Sequence, residues 1–152
     1  ASLFGEAIYY NIPSSKENKI GTAEGILVGG NLSMFYSLLG SETSINTDGK
    51  ILFIEDLDEY LYHIDRMLMN LKRNGYFNNL KGLIVGGMTD MHDNKIPFGK
   101  TAKKIVLDVV SEFNFPIVFD FPAGHLNDNR CLIFGRNVRL EVRESKSKLK
   151  LI

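Results

Sequence analysis

The 152-residue sequence predicts an α/β domain, a parallel central sheet with helices packed on it and an antiparallel layer of strands beside it. Three observations carry this expectation. Short, continuously apolar runs at residues 25–28, 51–54, 82–86 and 116–119 have the character of strands covered on both faces. Between them, apolar residues recur at intervals of three and four, the period of a helix with one buried side. After His125 the helical period disappears, and Val138, Leu140 and Val142 alternate with charged residues, as in an antiparallel strand with one wet face.

Each element follows from its own residues. Residues 1–23 combine a strand around Ala7–Tyr10 with polar turn residues from Pro13 to Lys19, and read as an arm or interdomain linker leading into a compact domain over 24–152. The strand Gly25–Val28 turns through Gly29, Gly30 and Asn31 into a helix whose Leu32, Phe35, Leu38 and Leu39 share a face, with Gly40 placed to end it. After the turn pair Asp48-Gly49 comes the strand Ile51–Ile54. The helix over 57–74 has the clearest periodicity: Leu57, Tyr60, Leu61, Ile64, Leu68 and Leu71 form its stripe, Asp58 and Glu59 sit at its positive end, and Gly75 closes it. The strand Gly82–Gly86 and a polar loop, Thr89–Asn94, lead to a third helix over Phe98–Phe113, with Pro97 tolerated in its first turn. The strand Pro116–Phe119 follows, then strands at Cys131–Phe134, Val138–Val142 and Leu149–Leu151.

Eighteen basic residues balance eighteen acidic ones, so no long-range field attracts nucleic acid or anionic lipid, and neither is an expected partner. Cys131, the single cysteine, has no partner for an internal disulfide, which suits a reducing compartment. No run approaches the ~20 apolar residues of a membrane helix, and no charged-then-apolar leader opens the chain, so cytoplasm is the default expectation. The start at Ala1, without Met, leads us to expect further residues upstream.

In an open parallel sheet, ligands collect outside the carboxyl ends of the strands, and Glu55, Gly86 and His125 stand just there. Glu55 ends an apolar run, and so competes with the ordinary role of a helix N-terminal charge, the role given to Asp56 and Asp58. His125 follows Pro122-Ala123-Gly124, small residues that permit close approach; its plain alternative is a solvated loop histidine. A carboxylate that fixes the tautomer of an imidazole makes two thirds of a catalytic triad. His63 reads as helix-edge packing. His92, in the oxygen-rich loop Asp90–Asn94, lacks the converging ligands of a metal site and reads as part of a polar turn. Gly99-Lys100-Thr101 opens a helix, but Asn94 replaces the first glycine of a phosphate loop and Pro97 removes an amide. Cys131 reads as a small buried hydrophobe. No serine stands in a Gly-x-Ser-x-Gly turn, so the nucleophile is expected from elsewhere.

The ordered set Gly25-Ile-Leu-Val-Gly-Gly-Asn-Leu-Ser33, Ile51-Leu-Phe-Ile-Glu-Asp56, Tyr62-His-Ile-Asp-Arg66 and Pro122-Ala-Gly-His125 resembles the carboxy-terminal domain of the LD-carboxypeptidase family over about residues 20–143. The resemblance implies a three-layer β/β/α swivelling-type domain. It also implies a serine-type hydrolase with a Ser-Glu-His triad split between two domains, in which Glu55 and His125 match the triad acid and base and the serine lies in an amino-terminal domain. The implied reaction releases the terminal D-alanine of a peptidoglycan tetrapeptide during cytoplasmic cell-wall recycling, without metal or cofactor. Asn31 and Gly30 match the family's Gly-Gly-Asn turn at the substrate pocket, with Gly124 beside it; Asn31 also reads as a helix cap. Asp65 and Arg66 match a family pattern and read as a structural ion pair or as support for the site. Family members commonly dimerise, so a homodimer is compatible. Two other readings share the scaffold: an amidase of the microcin C immunity type, and a noncatalytic peptide-binding domain.

Overall fold

The computed structural model describes residues 8–152. Three strands form its centre because their runs at residues 51–54, 82–86 and 117–118 are continuously apolar and can be buried on both faces. These are β3 (Ile51–Leu57), β4 (Gly82–Thr89) and β5 (Ile117–Val118), parallel and in that order. Leu52, Ile54, Leu83, Val85 and Ile117 point to one core, which they share with the helices α1 (Leu32–Ser37), α2 (Leu61–Arg73) and α3 (Ala102–Val109). Ile51, Phe53, Ile84 and Val118 point the other way, into a second core. Burying an aliphatic side chain of this size contributes about 1.5–3 kcal/mol.

The second core is closed by antiparallel strands. β2 (Gly21–Asn31) changes partner along its length: residues 21–26 pair antiparallel with β6 (Asn137–Val142), and residues 27–31 pair parallel with β3. β7 (Lys146–Leu151) and β1 (Tyr9–Pro13) continue the sheet, whose full order is β1-β7-β6-β2-β3-β4-β5. Ile12, Val138, Leu140, Val142 and Leu149 cover the face of β3, β4 and β5 that the helices leave bare. The expected α/β architecture is present, with antiparallel strands, parallel strands and helices stacked in three layers.

Several elements differ from the sequence reading, each for a local reason. The segment read as an arm enters the sheet as β1, where Ile12 alone is buried; Ala7 and the residues before it lie outside the described residues. β3 continues through Glu55 and Asp56, which are buried rather than ending it. α2 starts at Leu61 instead of residue 57, because Asp58 takes a left-handed φ of 60° and gives its N–H to Thr89 O at 3.0 Å, keeping the chain tied to β4. It ends as expected: Gly75, at φ 80°, gives its N–H to Lys72 O, and Tyr76 N–H reaches Leu71 O, a Schellman closure. α3 begins after Thr101, whose hydroxyl caps Lys104 N–H, so Pro97 lies in the preceding loop. Residues 131–134 form no strand, and Cys131 is exposed, not a buried hydrophobe.

Residues 14–20 cross from one end of the sheet to the other. Lys19 N–H bonds to Ile117 O at 2.9 Å and Ile117 N–H returns to Lys19 O at 3.0 Å, which covers the open edge of β5. The sheet is thereby curled until Tyr10 of β1 meets Phe121, just beyond β5, edge to face with ring centroids 5.6 Å apart.

Candidate active site

Glu55 stands near the carboxyl end of β3, and His125 lies in the loop after β5, 70 residues further along the chain. β4 runs between them, so the His125 loop must pass over β4 to reach Glu55. Two glycines make this passage possible. A Cβ on Gly86 would lie 2.5 Å from Ala123 O, and one on Gly87 would lie 2.9 Å from Leu126 Cγ. The crossing is fixed by Gly87 N–H to Ala123 O at 3.0 Å and Phe121 N–H to Val85 O at 3.1 Å. Gly124 then packs on the acid itself: at φ 106°, its missing Cβ would sit 2.6 Å from Glu55 Oε2.

The result is one carboxylate oxygen engaged twice by one residue. Glu55 Oε2 accepts from His125 Nδ1 at 2.8 Å and from His125 N–H at 3.3 Å. The carboxylate only accepts, so Nδ1 carries the proton, which leaves Nε2 across the ring as a base. No hydroxyl or thiol among the described residues bonds to Nε2. The acid is 7% exposed and the imidazole 51%, so a dry carboxylate backs a ring open to an incoming group. Two side chains not singled out from sequence hold the loop in place: Thr89 Oγ1 donates to His125 O at 3.0 Å, and Asn129 Oδ1 accepts Gly124 N–H at 3.2 Å. Neither carries a pattern that sequence reading recognises.

Asn31 lies beside Glu55 in the β2–β3 register. Its Oδ1 caps α1, accepting Met34 N–H at 3.1 Å and Ser33 Oγ–H at 2.8 Å, while its Nδ2 donates to Asp56 Oδ1 at 3.0 Å. The cap reading of Asn31 is therefore realised, and its carbonyl oxygen is committed. Gly30, at φ 148°, precedes it with open space where a side chain would stand. Asp56 does serve a helix N-terminus, but that of α1 rather than the following helix: buried to 2% exposure, it accepts Ser33 N–H at 3.0 Å and Leu57 N–H at 2.9 Å as well as the Asn31 amide.

Burial pushes the Asp56 carboxyl above its ordinary value of 3.8, with the bonds from Leu57, Asn31 and Ser33 opposing it. The folded protein thus holds this proton more tightly than the unfolded chain. The stabilising contribution is fully present below 3.8 and is lost as pH rises through the folded value. Urea unfolding is expected to show wild type losing stability relative to Asp56→Asn as pH rises from acid toward neutral. Asp56→Ala leaves the Ser33 and Leu57 N–H groups and the Asn31 amide without their acceptor and is expected to cost at least about 2 kcal/mol. A pH-independent difference, or an Ala variant of full stability, would contradict this role.

The remaining candidates lie apart. Asp65 and Arg66 form no ion pair among the described residues; the Arg66 guanidinium instead lies over the Tyr62 ring, 5.4 Å from its centroid. His63 Nδ1 bonds to Glu59 Oε2 at 3.0 Å, on the helix edge. His92 is held by Asp58, and Asp93 accepts the N–H groups of Asn94 and Phe98, so the loop's polar groups serve its own shape. Among the described residues, no group of three or more His, Cys, Asp or Glu side chains is placed to hold a metal ion, and no helix is long and apolar enough to cross a membrane. A cavity of about 980 Å³ flanks the far side of the His125 loop, walled by Gly86, Met88, Phe119 and Leu126, with neither Glu55 nor His125 on its surface.

Comparison with known proteins places this geometry in context. The sequence family described as LD-carboxypeptidase C-terminal domain matches residues 24–140. Over 128 residues the chain is 37% identical to the "Probable murein peptide carboxypeptidase" of Bacillus subtilis, covering 82% of this chain and 39% of that protein. It is 27% identical over 119 residues to the murein tetrapeptide carboxypeptidase of Pseudomonas aeruginosa, covering 78% and 38%. The chain thus spans about two fifths of the length of these relatives. A solved muramoyltetrapeptide carboxypeptidase from Oxalobacter formigenes superposes with a TM-score of 0.88 at 26% identity, covering 99% of this chain and 52% of that one. The microcin C7 self immunity protein MccF superposes at 0.74 over 87% of this chain and 39% of its own, a likeness of fold at 23% identity.

Proposed function

The chain belongs to the LD-carboxypeptidase family, as its C-terminal domain, and we propose that it supplies the base and the orienting acid of a serine-type carboxypeptidase acting on peptidoglycan tetrapeptides in the cytoplasm. The observation that carries this reading is the 2.8 Å contact between His125 Nδ1 and Glu55 Oε2. The serine comes from residues outside this chain, in an amino-terminal domain, so the chain alone is inactive.

The chemistry follows from that contact. His125 Nε2 takes the serine proton as the hydroxyl attacks the carbonyl before the terminal D-alanine, and the imidazolium then gives that proton to the departing amine. Glu55 holds the ring with Nε2 free and stabilises the transient cation, an interaction strengthened by the burial of its carboxylate. The acyl-enzyme is hydrolysed by water through the same base. Asn31 acts through the shape of the Gly30 turn, and Gly124 keeps the acid and the base in contact.

A serine-directed fluorophosphonate tests where the nucleophile lies. The longer enzyme is expected to take up one label on a serine upstream of this chain, at a rate sharply reduced by His125→Ala, whereas the isolated chain takes up none. Labelling of a serine inside the chain would overturn the split-site reading.

A further inference from the structure

The segment that leads into the domain touches the His125 loop at both of its ends. At the far end, Tyr10 OH donates to Cys131 O at 2.6 Å, while its ring packs edge-on against Phe121 near the start of the loop. At the near end, Asn18 Oδ1 accepts Phe119 N–H at 2.9 Å, where the chain leaves β5. Beside it, Lys103 pairs with Asp120 and lies 4.0 Å from Glu17, joining the same segment to the first residue of the loop. The Asn18 side chain is itself anchored by the turn in which Asn18 N–H bonds to Ser15 O at 3.1 Å, with Lys19 bridged to Ile117 next to it.

These contacts are unusual in what they hold. Phe119 is fully buried, so its N–H has no access to water and depends on Asn18 for an acceptor. The side-chain amide hydrogens of Asn18 have no partner among the described residues, since Nδ2 is buried and unbonded, and so the carbonyl oxygen is the part of this side chain with a role. Burial first, and the neighbouring Cys131 second, hold the Tyr10 phenol above its ordinary range, which keeps its hydroxyl a donor to Cys131 O. Asp120, at the start of the loop, adopts a left-handed φ of 59°, a conformation that a non-glycine residue keeps only where its surroundings fix it.

We propose that residues 10–19 form a clamp that fixes both ends of the His125 loop, and that Tyr10 and Asn18 are positioning residues that set His125 against Glu55. The catalytic half of this inference rests on His125 being the base; the structural half does not. Because the clamp is part of the segment entering from upstream, it also ties the placement of the base to the path of the chain between the two domains. A misplacement of a catalytic group by about 1 Å can cost about 100-fold in rate, so a loop released at either end has a large effect through small motion.

The test uses two readouts. In the chain itself, histidine ring ¹H–¹⁵N correlation spectra are expected to show His125 with a slowly exchanging Nδ1–H and an unprotonated Nε2. Tyr10→Phe, which removes one oxygen, and Asn18→Ala are each expected to broaden or abolish that Nδ1–H signal while unfolding remains cooperative, and Asn18→Asp, which keeps the acceptor, is expected to restore it. In the longer enzyme, Tyr10→Phe and Asn18→Ala should lower kcat by about tenfold or more with KM changed by less than about threefold. An unaltered signal in Tyr10→Phe, whose fold is least at risk, together with an unaltered signal in any folded Asn18→Ala protein, would overturn the clamp. A lost signal with unaltered turnover would uphold the clamp and overturn the catalytic half, by removing His125 from its assigned role.

Discussion

Glu55→Gln in the longer enzyme is expected to lower kcat by about four orders of magnitude, with little change in KM or in thermal stability. The size follows from what the carboxylate does. Glu55 Oε2 accepts from both the ring and the backbone of His125, and among the described residues it is the only group bonded to Nδ1. A glutamine of the same shape presents an amide that can donate to Nδ1, which places the proton on Nε2 and removes the base; it also carries no charge to offset the imidazolium. His125→Ala should cost about as much, because acid and base act as a unit. Steady-state kinetics on murein tetrapeptide check both variants. A Glu55→Gln enzyme within about tenfold of wild type would mean that the buried acid has only a structural role.

The second large effect is expected at Gly124. An alanine there would have to take φ 106° and place Cβ 2.6 Å from Glu55 Oε2 and 2.8 Å from its Cγ, so either the loop or the acid must move. Both movements open the His125 contact. Gly124→Ala is expected to lower kcat by about 100-fold or more and to cost about 1–3 kcal/mol in stability from backbone strain. Calorimetry and the same kinetic assay read the two effects, and the folded variant should lose the His125 Nδ1–H resonance. Wild-type kinetics in a Gly124→Ala protein would show that the acid and base need not touch.

The parts of this architecture legible from sequence are those in which one residue type does one thing. The runs Ile51–Ile54 and Gly82–Val85 are apolar on both faces, so they could only be central strands, and the Leu61–Leu71 stripe could only be a helix packed on them. The parts that were not legible depend on partners far away in the sequence. Glu55 and Asp56 sit inside a strand because Asn31, Ser33 and His125 satisfy their oxygens, which no local pattern announces. β1 has a single buried residue, Ile12, and its place in the sheet is set by pairing with β7 at the opposite end of the chain. The run at residues 131–134 has strand composition but pairs with no strand among the described residues, and Cys131 stays in solvent.

The candidate site divides along the same line. Glu55 and His125 were visible as polar residues closing apolar runs, and the side chains do meet. What brings them together was not visible: the side-chain-free stretch at Gly86 and Gly87 that lets a loop cross β4, and the Thr89 and Asn129 bonds that hold it. Glycines in a strand ordinarily read as weakness or a bulge. Here they are the space through which His125 reaches Glu55.

Mass-spectrometric measurement of D-alanine release from murein tetrapeptide, by this chain alone and by the longer enzyme with and without His125, tests the central claim most directly. The split-site account predicts release by the longer enzyme, loss of that release in His125→Ala, and none from the isolated chain. Release by the isolated chain, or undiminished release after His125 is removed, would contradict it.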